Sequence, residues 1–154
     1  MLEKTYDPQP VEKKWCAAWR VSRLFGSTAP SPSGDGGLQA PKGQERPFVV
    51  VIPPPNVTGA LHLGHALNNT LQDILVRWHK LHGRAVCWVP GCDHGGIATQ
   101  NVMERQLKAE GKPRHDVGRE PFVAKMQEWS SDCKKTILGQ LERLGCGLDW
   151  DREA

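Results

Sequence analysis

The chain carries, from residue 50 to residue 65, the stretch Val50-Val-Ile-Pro-Pro-Pro-Asn-Val-Thr-Gly-Ala-Leu-His-Leu-Gly-His65. The apolar, β-branched run at 48–52 predicts a strand covered on both faces in a parallel sheet. The three prolines that follow cannot donate to a sheet ladder, so they end this strand. Beyond them a helical period runs up to Gly83, which predicts a helix whose apolar face is formed by Leu67, Leu71, Ile74, Leu75, Trp78 and Leu81.

Two histidines, His62 and His65, lie at the predicted start of this helix. Side chains three residues apart on a helix point to the same side. The unpaired N–H groups and the positive dipole end of a helix N-terminus favour phosphate. Gly59 and Gly64 would let the backbone approach a ligand closely. The pattern therefore predicts a phosphate site at the strand-to-helix turn.

A second strand and turn follow at 85–91, and Asp93 comes directly after them. A strand, helix and strand in succession predict parallel strands joined by a right-handed crossover. Ligands of such sheets bind beyond the carboxyl ends of the strands, so both turns are expected to face one pocket. Asp93 is suited to hold an ammonium group, and the alternative is that it caps a helix beginning near Gly95.

Two further residues beside Asp93, Cys92 and His94, raise the question of a metal site completed by His62 and His65. Zinc ligands are usually arranged in tighter pairs. We therefore predict no metal site in this chain.

The remaining sequence predicts a helical leader at 1–26, a flexible loop rich in Pro, Gly and Ser at 27–46, and a nucleotide-binding unit at 47–154. The loop could instead be a proline-rich ligand of another domain, but its prolines lack the spacing of such motifs. Helices are expected at 97–110 and 120–144. Their charged faces should be solvated, with weak RNA contact as the alternative.

Composition narrows the class of protein only moderately. The net charge of +3 permits nucleic-acid binding without requiring it, and the five cysteines contain no Cys-x-x-Cys pair, as is common in reduced, intracellular proteins. We find no apolar run long enough to cross a membrane. Acidic residues near the N-terminus are untypical of a mitochondrial transit peptide, so we predict a cytoplasmic protein unless an upstream extension has been lost.

The motifs resemble those of a known enzyme family. His62-Leu-Gly-His65 is similar to the His-x-Gly-His signature of class I nucleotidyl-transferring enzymes. With the preceding Pro-Pro-Pro-Asn-Val-Thr-Gly and the later block Pro90-Gly-Cys-Asp-His-Gly-Gly-Ile-Ala-Thr-Gln100, it resembles the valyl-tRNA synthetases. The resemblance implies an α/β fold with an incomplete Rossmann-like parallel sheet, the first half of a class I catalytic domain. It implies ATP, Mg²⁺, valine and tRNA(Val) as the partners of the complete enzyme.

The resemblance also assigns expected roles to individual residues. His62 and His65 would bind ATP phosphates during catalysis, and Thr58, Gly59 and Gly64 would shape the approach to the nucleotide. The amino-acid and adenylate site would be lined by Pro53, Pro54, Asn56 and Asp93, with Asp93 on the α-ammonium group.

Two departures from the family pattern qualify this expectation. Gly95 stands where the family usually has alanine, which should loosen the turn modestly. The Lys-Met-Ser-Lys-Ser-like loop of the class does not occur in these 154 residues, and the resemblance covers only an N-terminal fraction of a synthetase. We therefore expect little or no aminoacylation by this chain without the missing C-terminal half. The alternatives are a non-catalytic module that binds RNA or a protein, and a small stand-alone nucleotidyltransferase.

Overall fold

A computed structural model describes residues 5–26, 46–112 and 114–154, so the loop predicted at 27–46 lies almost wholly outside the described residues. The elements in chain order are α1 (Pro8–Val21), β1 (Phe48–Val51), α2 (Leu63–Leu81), β2 (Val86–Val89), α3 (Gly96–Ala109), α4 (Arg114–Val117), α5 (Arg119–Arg143) and a closing 3₁₀ turn (Trp150–Arg152). The strands and helices predicted after residue 46 are present, with bounds within about two residues of those expected, whereas the helix of the leader predicted at 1–26 covers only Pro8–Val21.

The two strands form a parallel sheet, as predicted. Phe48 is paired with Val86 and Val51 with Val89. Because α2 connects the two strands, the start of this helix and both strand ends lie toward the same edge of the sheet. This arrangement places the two motif turns together.

The main core lies between β2, α2 and α5. Trp88 of β2 is fully buried, together with Val76 of α2 and with Ile137 and Leu141 of α5. The Trp88 indole N–H donates to Gln72 Oε1 at 3.0 Å, so its polar atom is satisfied inside the core. The long helix α5 thus supports the sheet that carries the motif turns.

The prediction that the first strand is covered on both faces is wrong for the described residues. Phe48 stacks on His79 of α2 at 3.9 Å between ring centroids, so this face of β1 is covered. Val49 and Val51, which point to the other face, are 44% and 69% exposed. Strand character followed from the β-branched run, but burial depends on what packs against it.

The predicted apolar face of α2 lies on the outside of the described structure. The six apolar residues that define the helical period are each 51–86% exposed. The inward face instead carries Asn69 and Val76, together with Asp73. Polar groups are tolerated there because they are hydrogen-bonded: Asp73 Oδ1, for example, accepts the N–H of Gly147 at 2.7 Å.

The leader is helical, as predicted, and its helix α1 is capped by Asp7, whose side chain accepts the N–H of Gln9. It is anchored less by α1 itself than by the turn after it. Phe25 is buried and meets the Trp19 ring edge-on at 6.0 Å, whereas Val21 is exposed.

Arg77 joins the leader to α2 and to the loop after α5. Its Nε donates to Asp73 Oδ2 at 2.6 Å, and its Nη2 donates to the carbonyl of Gly145 at 2.6 Å. Its guanidinium also lies 4.8 Å from the Trp19 ring centroid and 4.9 Å from that of Phe25. A single side chain therefore holds three separate parts of the chain together.

We expect Arg77→Ala to lower the free energy of unfolding by about 3 kcal/mol, because charged hydrogen bonds and two cation–π contacts are lost together. For a chain of this size that corresponds to about 6–12 °C in the thermal midpoint followed by circular dichroism. Lys135→Ala is the matched control, since the Lys135–Asp132 pair is 75% and 69% exposed and such pairs contribute less than about 1 kcal/mol. Equal shifts for the two variants would contradict the proposed anchoring role of Arg77.

Candidate functional site

Main-chain hydrogen bonds hold the two motif turns side by side. The N–H of Asp93 donates to the carbonyl of Pro55, and the N–H of Val57 donates to the carbonyl of Asp93, both at 2.9 Å. These bonds continue the parallel pairing of the strands beyond their regular ends, as an isolated bridge between Asn56 and Asp93. The structure therefore brings together two residues that were predicted from separate motifs.

The Asp93 carboxylate is exposed and organises its own turn. Its Oδ1 accepts the N–H of Gly95 at 3.0 Å. The cap residue of α3 is Gly95, which makes no side-chain cap bond, so the predicted alternative of Asp93 as the helix cap is not what the structure shows. Among the described residues Oδ2 of Asp93 has no hydrogen-bond partner, which leaves it available for a ligand.

Gly95 fits the close approach of the two turns. It has φ of +48°, a left-handed conformation that is costly for residues with a Cβ. A Cβ there would also lie 2.9 Å from Oδ1 of Asn56. The looser turn expected from the missing methyl group remains a prediction, and the geometry adds that glycine leaves room for the Asn56 amide.

His62 and His65 form a reciprocal arrangement at the start of α2. His62 is the cap residue, and its Nδ1 accepts the N–H of Gly64 at 3.1 Å. In return, the N–H of His62 donates to Nδ1 of His65 at 3.2 Å. The two rings lie 4.0 Å apart between centroids and are tilted by 47°, so the predicted pairing on one side of the helix is confirmed.

These hydrogen bonds fix which ring nitrogen of each neutral histidine carries the proton. An Nδ1 atom that accepts an N–H has no proton, so each neutral ring carries its hydrogen on Nε2 and can donate it to a ligand. Desolvation, with a smaller contribution from His62, lowers the pKa of His65 below 6.5. His65 is therefore neutral at pH 7, and the stability it contributes is present above pH 6.5 and lost as the pH falls.

The two glycines of the first motif differ in their surroundings. A Cβ on Gly64 would lie 2.9 Å from Cε1 and 3.1 Å from Nδ1 of His62, so the absence of a side chain lets this ring fold over the helix start. A Cβ on Gly59 would meet no atom within 4 Å. Close approach of a ligand at Gly59 remains a prediction.

Two residues that support the site were missed by the sequence analysis. Gln140 of α5 accepts the N–H of Leu61 through its side-chain oxygen at 2.7 Å, directly before His62. Thr99 is buried, and its hydroxyl donates to the carbonyl of His94 at 2.6 Å, which fixes the second turn. Spacing gave no signal for Gln140, because it reaches the turn from another element.

The other predicted site residues surround an open surface. Pro53, Pro54 and Asn56 are exposed, as is Asp93, while Thr58 and Gly59 are half-buried. Across residues 46–112 no direct hydrogen bond joins the histidine pair to the Asn56–Asp93 pair. The described residues thus provide donors and one carboxylate on an accessible surface, not a closed pocket.

No group of three or more His, Cys, Asp or Glu side chains among the described residues is placed to hold a metal ion. No helix that the structure describes is long and apolar enough to cross a membrane.

Comparison with known proteins identifies the family. A sequence model of the tRNA synthetases class I (I, L, M and V) matches residues 36–154. The chain belongs to this family. Its curated relatives include the valine–tRNA ligases of Caulobacter vibrioides (54% identical), Syntrophotalea carbinolica (52%) and Thermus thermophilus (48%), each matched over 99% of this chain.

The match extends over only part of these relatives. The chain spans 16% of the length of each. The fold is shared with a crystal structure of LeuRS from Agrobacterium radiobacter K84, solved as a ternary complex with tRNA and LeuAMS. The TM-score is 0.68 over 97% of this chain and 16% of that one, at 23% identity. The incomplete parallel sheet is thus the fold of one region of a class I synthetase.

Proposed function

We propose that this chain forms the ATP- and valine-binding first part of a valine–tRNA ligase. The observation that carries the proposal is the junction of the two motif turns, which sets the Asp93 carboxylate beside Asn56 at the same sheet edge from which the His62–His65 helix begins. The valine–tRNA ligases at about half identity over the whole chain support valine as the amino acid.

The proposed reaction begins with attack of a valine carboxylate oxygen on the α-phosphorus of ATP. A new P–O bond forms, the bond to the β-phosphate oxygen breaks, and pyrophosphate leaves with its electron pair. In the second step the 2′-hydroxyl of the terminal adenosine of tRNA(Val) attacks the valyl carbonyl, and AMP departs. No protein nucleophile is required, so the protein contributes position and electrostatic stabilisation.

His62 and His65 would stabilise the charge on the phosphates. Their Nε2–H groups donate on one side of the helix start, where the α2 dipole also favours negative charge. A donor whose orientation is fixed by hydrogen bonds needs no reorganisation during reaction. Thr58, Gly59 and Gly64 would shape the backbone against the nucleotide.

The amino acid would lie on the other half of the surface. Oδ2 of Asp93 would accept the α-ammonium group, since Oδ1 is held by Gly95. The Asn56 amide lies beside it, and Pro53 and Pro54 would form a rigid apolar wall. An apolar wall discriminates only weakly between valine and threonine, because it cannot strongly reject a side chain of the same shape that carries a hydroxyl.

The protein groups at the phosphate end of the site do not fit magnesium. His62 and His65 offer imidazole and backbone N–H groups there, whereas Mg²⁺ prefers oxygen ligands, and the carboxylate of Asp93 is proposed to bind the valine ammonium group. Magnesium carried on the phosphates of ATP is part of the substrate, and the proposed reaction has no step on a protein-bound magnesium ion.

We also propose that the 154-residue chain is weakly active or inactive by itself, because its sequence lacks the Lys-Met-Ser-Lys-Ser-like loop. We further propose that the chain consists of three units, which are the leader at 1–26, the loop at 27–46 and the catalytic part at 47–154. For full activity the catalytic part would require the C-terminal part of a synthetase as its partner.

The test uses a chimera in which this chain replaces the matched segment of the Caulobacter vibrioides valine–tRNA ligase. We expect the chimera to catalyse valine-dependent exchange of labelled pyrophosphate into ATP, and the 154-residue chain to show little or none. Within the chimera, His62→Ala should abolish most of the exchange. A folded chimera without exchange, or with exchange that does not depend on valine, would overturn the proposed function.

A further inference from the structure

The exposed apolar face of α2 has a regular spacing. Leu67, Leu71, Ile74, Trp78 and Leu81 are separated by four, three, four and three residues, and all are more than half exposed. This is the spacing of alternating d and a positions in a heptad repeat. We call these five residues the α2 seam; it is about 21 Å long at 1.5 Å per residue.

The opposite side of the same helix already packs in the core. Asn69 and Val76 occupy the heptad positions that point directly away from the seam, and both are buried. The helix is therefore covered by its own chain on one side and carries an apolar stripe on the other. A stripe with a period of 3.5 residues fits the ridges of another α-helix.

The residues beside the seam carry too little charge to attract a charged partner. The residues that flank it are Asn68, Thr70, Leu75, Arg77 and His82. Arg77, the one permanent charge among them, is already paired with Asp73. Transient partners are usually steered by complementary charge, whereas permanent contacts rely on apolar packing. The seam has the character of a permanent contact.

Length decides between two possible occupants. The seam covers about two heptads, fewer than the three to four over which coiled coils are usually sustained, so a second copy of this chain would be held poorly. A helix on the same polypeptide has a high effective concentration and needs no such length. The relatives are about six times longer than this chain, and so they supply ample further sequence.

We propose that the α2 seam packs against an apolar-faced α-helix from the part of the synthetase that lies outside the matched region. The inference rests on the proposed function, because the occupant belongs to the complete ligase. The contact would clamp α2 between the core and this second helix, and α2 carries His62 and His65 at its start. The seam thereby positions the two histidines without touching the substrate.

Hydroxyl-radical footprinting with mass spectrometry tests the seam directly. Trp78 is 53% exposed and reports on the seam, and the fully buried Trp88 serves as the internal reference for a protected tryptophan. In the 154-residue chain we expect Trp78 to be labelled much faster than Trp88. In the chimera its labelling should fall to the level of Trp88, while exposed Val21 keeps its rate. Undiminished labelling of Trp78 in the chimera would overturn the proposal, as would protection of the isolated chain that grows with concentration, which identifies a second copy as the occupant.

A pair of variants separates the seam from the protein's own core. Leu71→Lys should restore labelling of Trp78 in the chimera, and Val21→Lys, at another exposed apolar site, should not. Neither should change the circular dichroism of the isolated chain. If Leu71→Lys unfolds the isolated chain, the seam is part of its core and the proposal fails. A chimera protected at Trp78 but lacking exchange would instead overturn only the proposed function.

Discussion

His65→Asn in the chimera is expected to reduce valine-dependent pyrophosphate exchange by about 10²- to 10³-fold while leaving the thermal midpoint nearly unchanged. Asparagine places an oxygen near the position of Nδ1, where it can accept the N–H of His62 as the ring does at 3.2 Å. It has no group at the position of Nε2, so the donor to the phosphates is lost. Loss of one oriented donor from such a site typically has this magnitude.

His65→Gln serves as the control. At the third helical position its side chain can reach back to accept the N–H of His62, as in a capping box, and its length also brings an amide N–H near the position of Nε2. We therefore expect exchange closer to that of the parent, with a nearly unchanged thermal midpoint. The measurements are exchange rates and thermal unfolding of both chimeras. The donor role of Nε2 is contradicted if asparagine retains activity and glutamine does not.

The pairing of the histidines was predictable, because residues three apart at a helix start must share a side. Their protonation pattern was not, since it depends on which atoms of the backbone each Nδ1 meets. Likewise, Asp93 was expected near the first motif from sheet topology alone. The room that Gly95 leaves for Asn56 appears only when the two turns are placed together.

The face of α2 shows the limit of periodicity as a guide. A period near 3.6 correctly gave the helix, but it could not tell which side packs against which part of a protein. The six residues of the predicted apolar face are exposed, and the polar Asn69 is buried. Such an inversion is physically reasonable when the inward polar groups are hydrogen-bonded and the outward stripe has a partner elsewhere. Contacts from distant elements, such as Gln140 to Leu61, leave no trace in local spacing.

Gly64→Ala is expected to lower exchange by the chimera by about 10- to 100-fold although it replaces glycine with the best helix former. Its Cβ would lie 2.9 Å from Cε1 of His62, so the ring must tilt away from the helix start. A displacement of about 1 Å in a reacting geometry can lower a rate by about 10²-fold. The thermal midpoint should stay nearly level, because the gain in helix propensity offsets the loss of the cap bond from the Gly64 N–H to the tilted ring.

Gly139→Ala provides the matched helical glycine, since a Cβ there would meet nothing within 4 Å. It should raise the free energy of unfolding by about 0.5–1 kcal/mol and leave the exchange rate unchanged. The decisive comparison is the double variant with His62→Ala. If Gly64 acts through the His62 ring, adding Gly64→Ala to His62→Ala should cause no further loss, because the two changes remove the same contact. Additive losses would instead mean that Gly64 meets the nucleotide directly, and the ring would then not be the reason for glycine at this position.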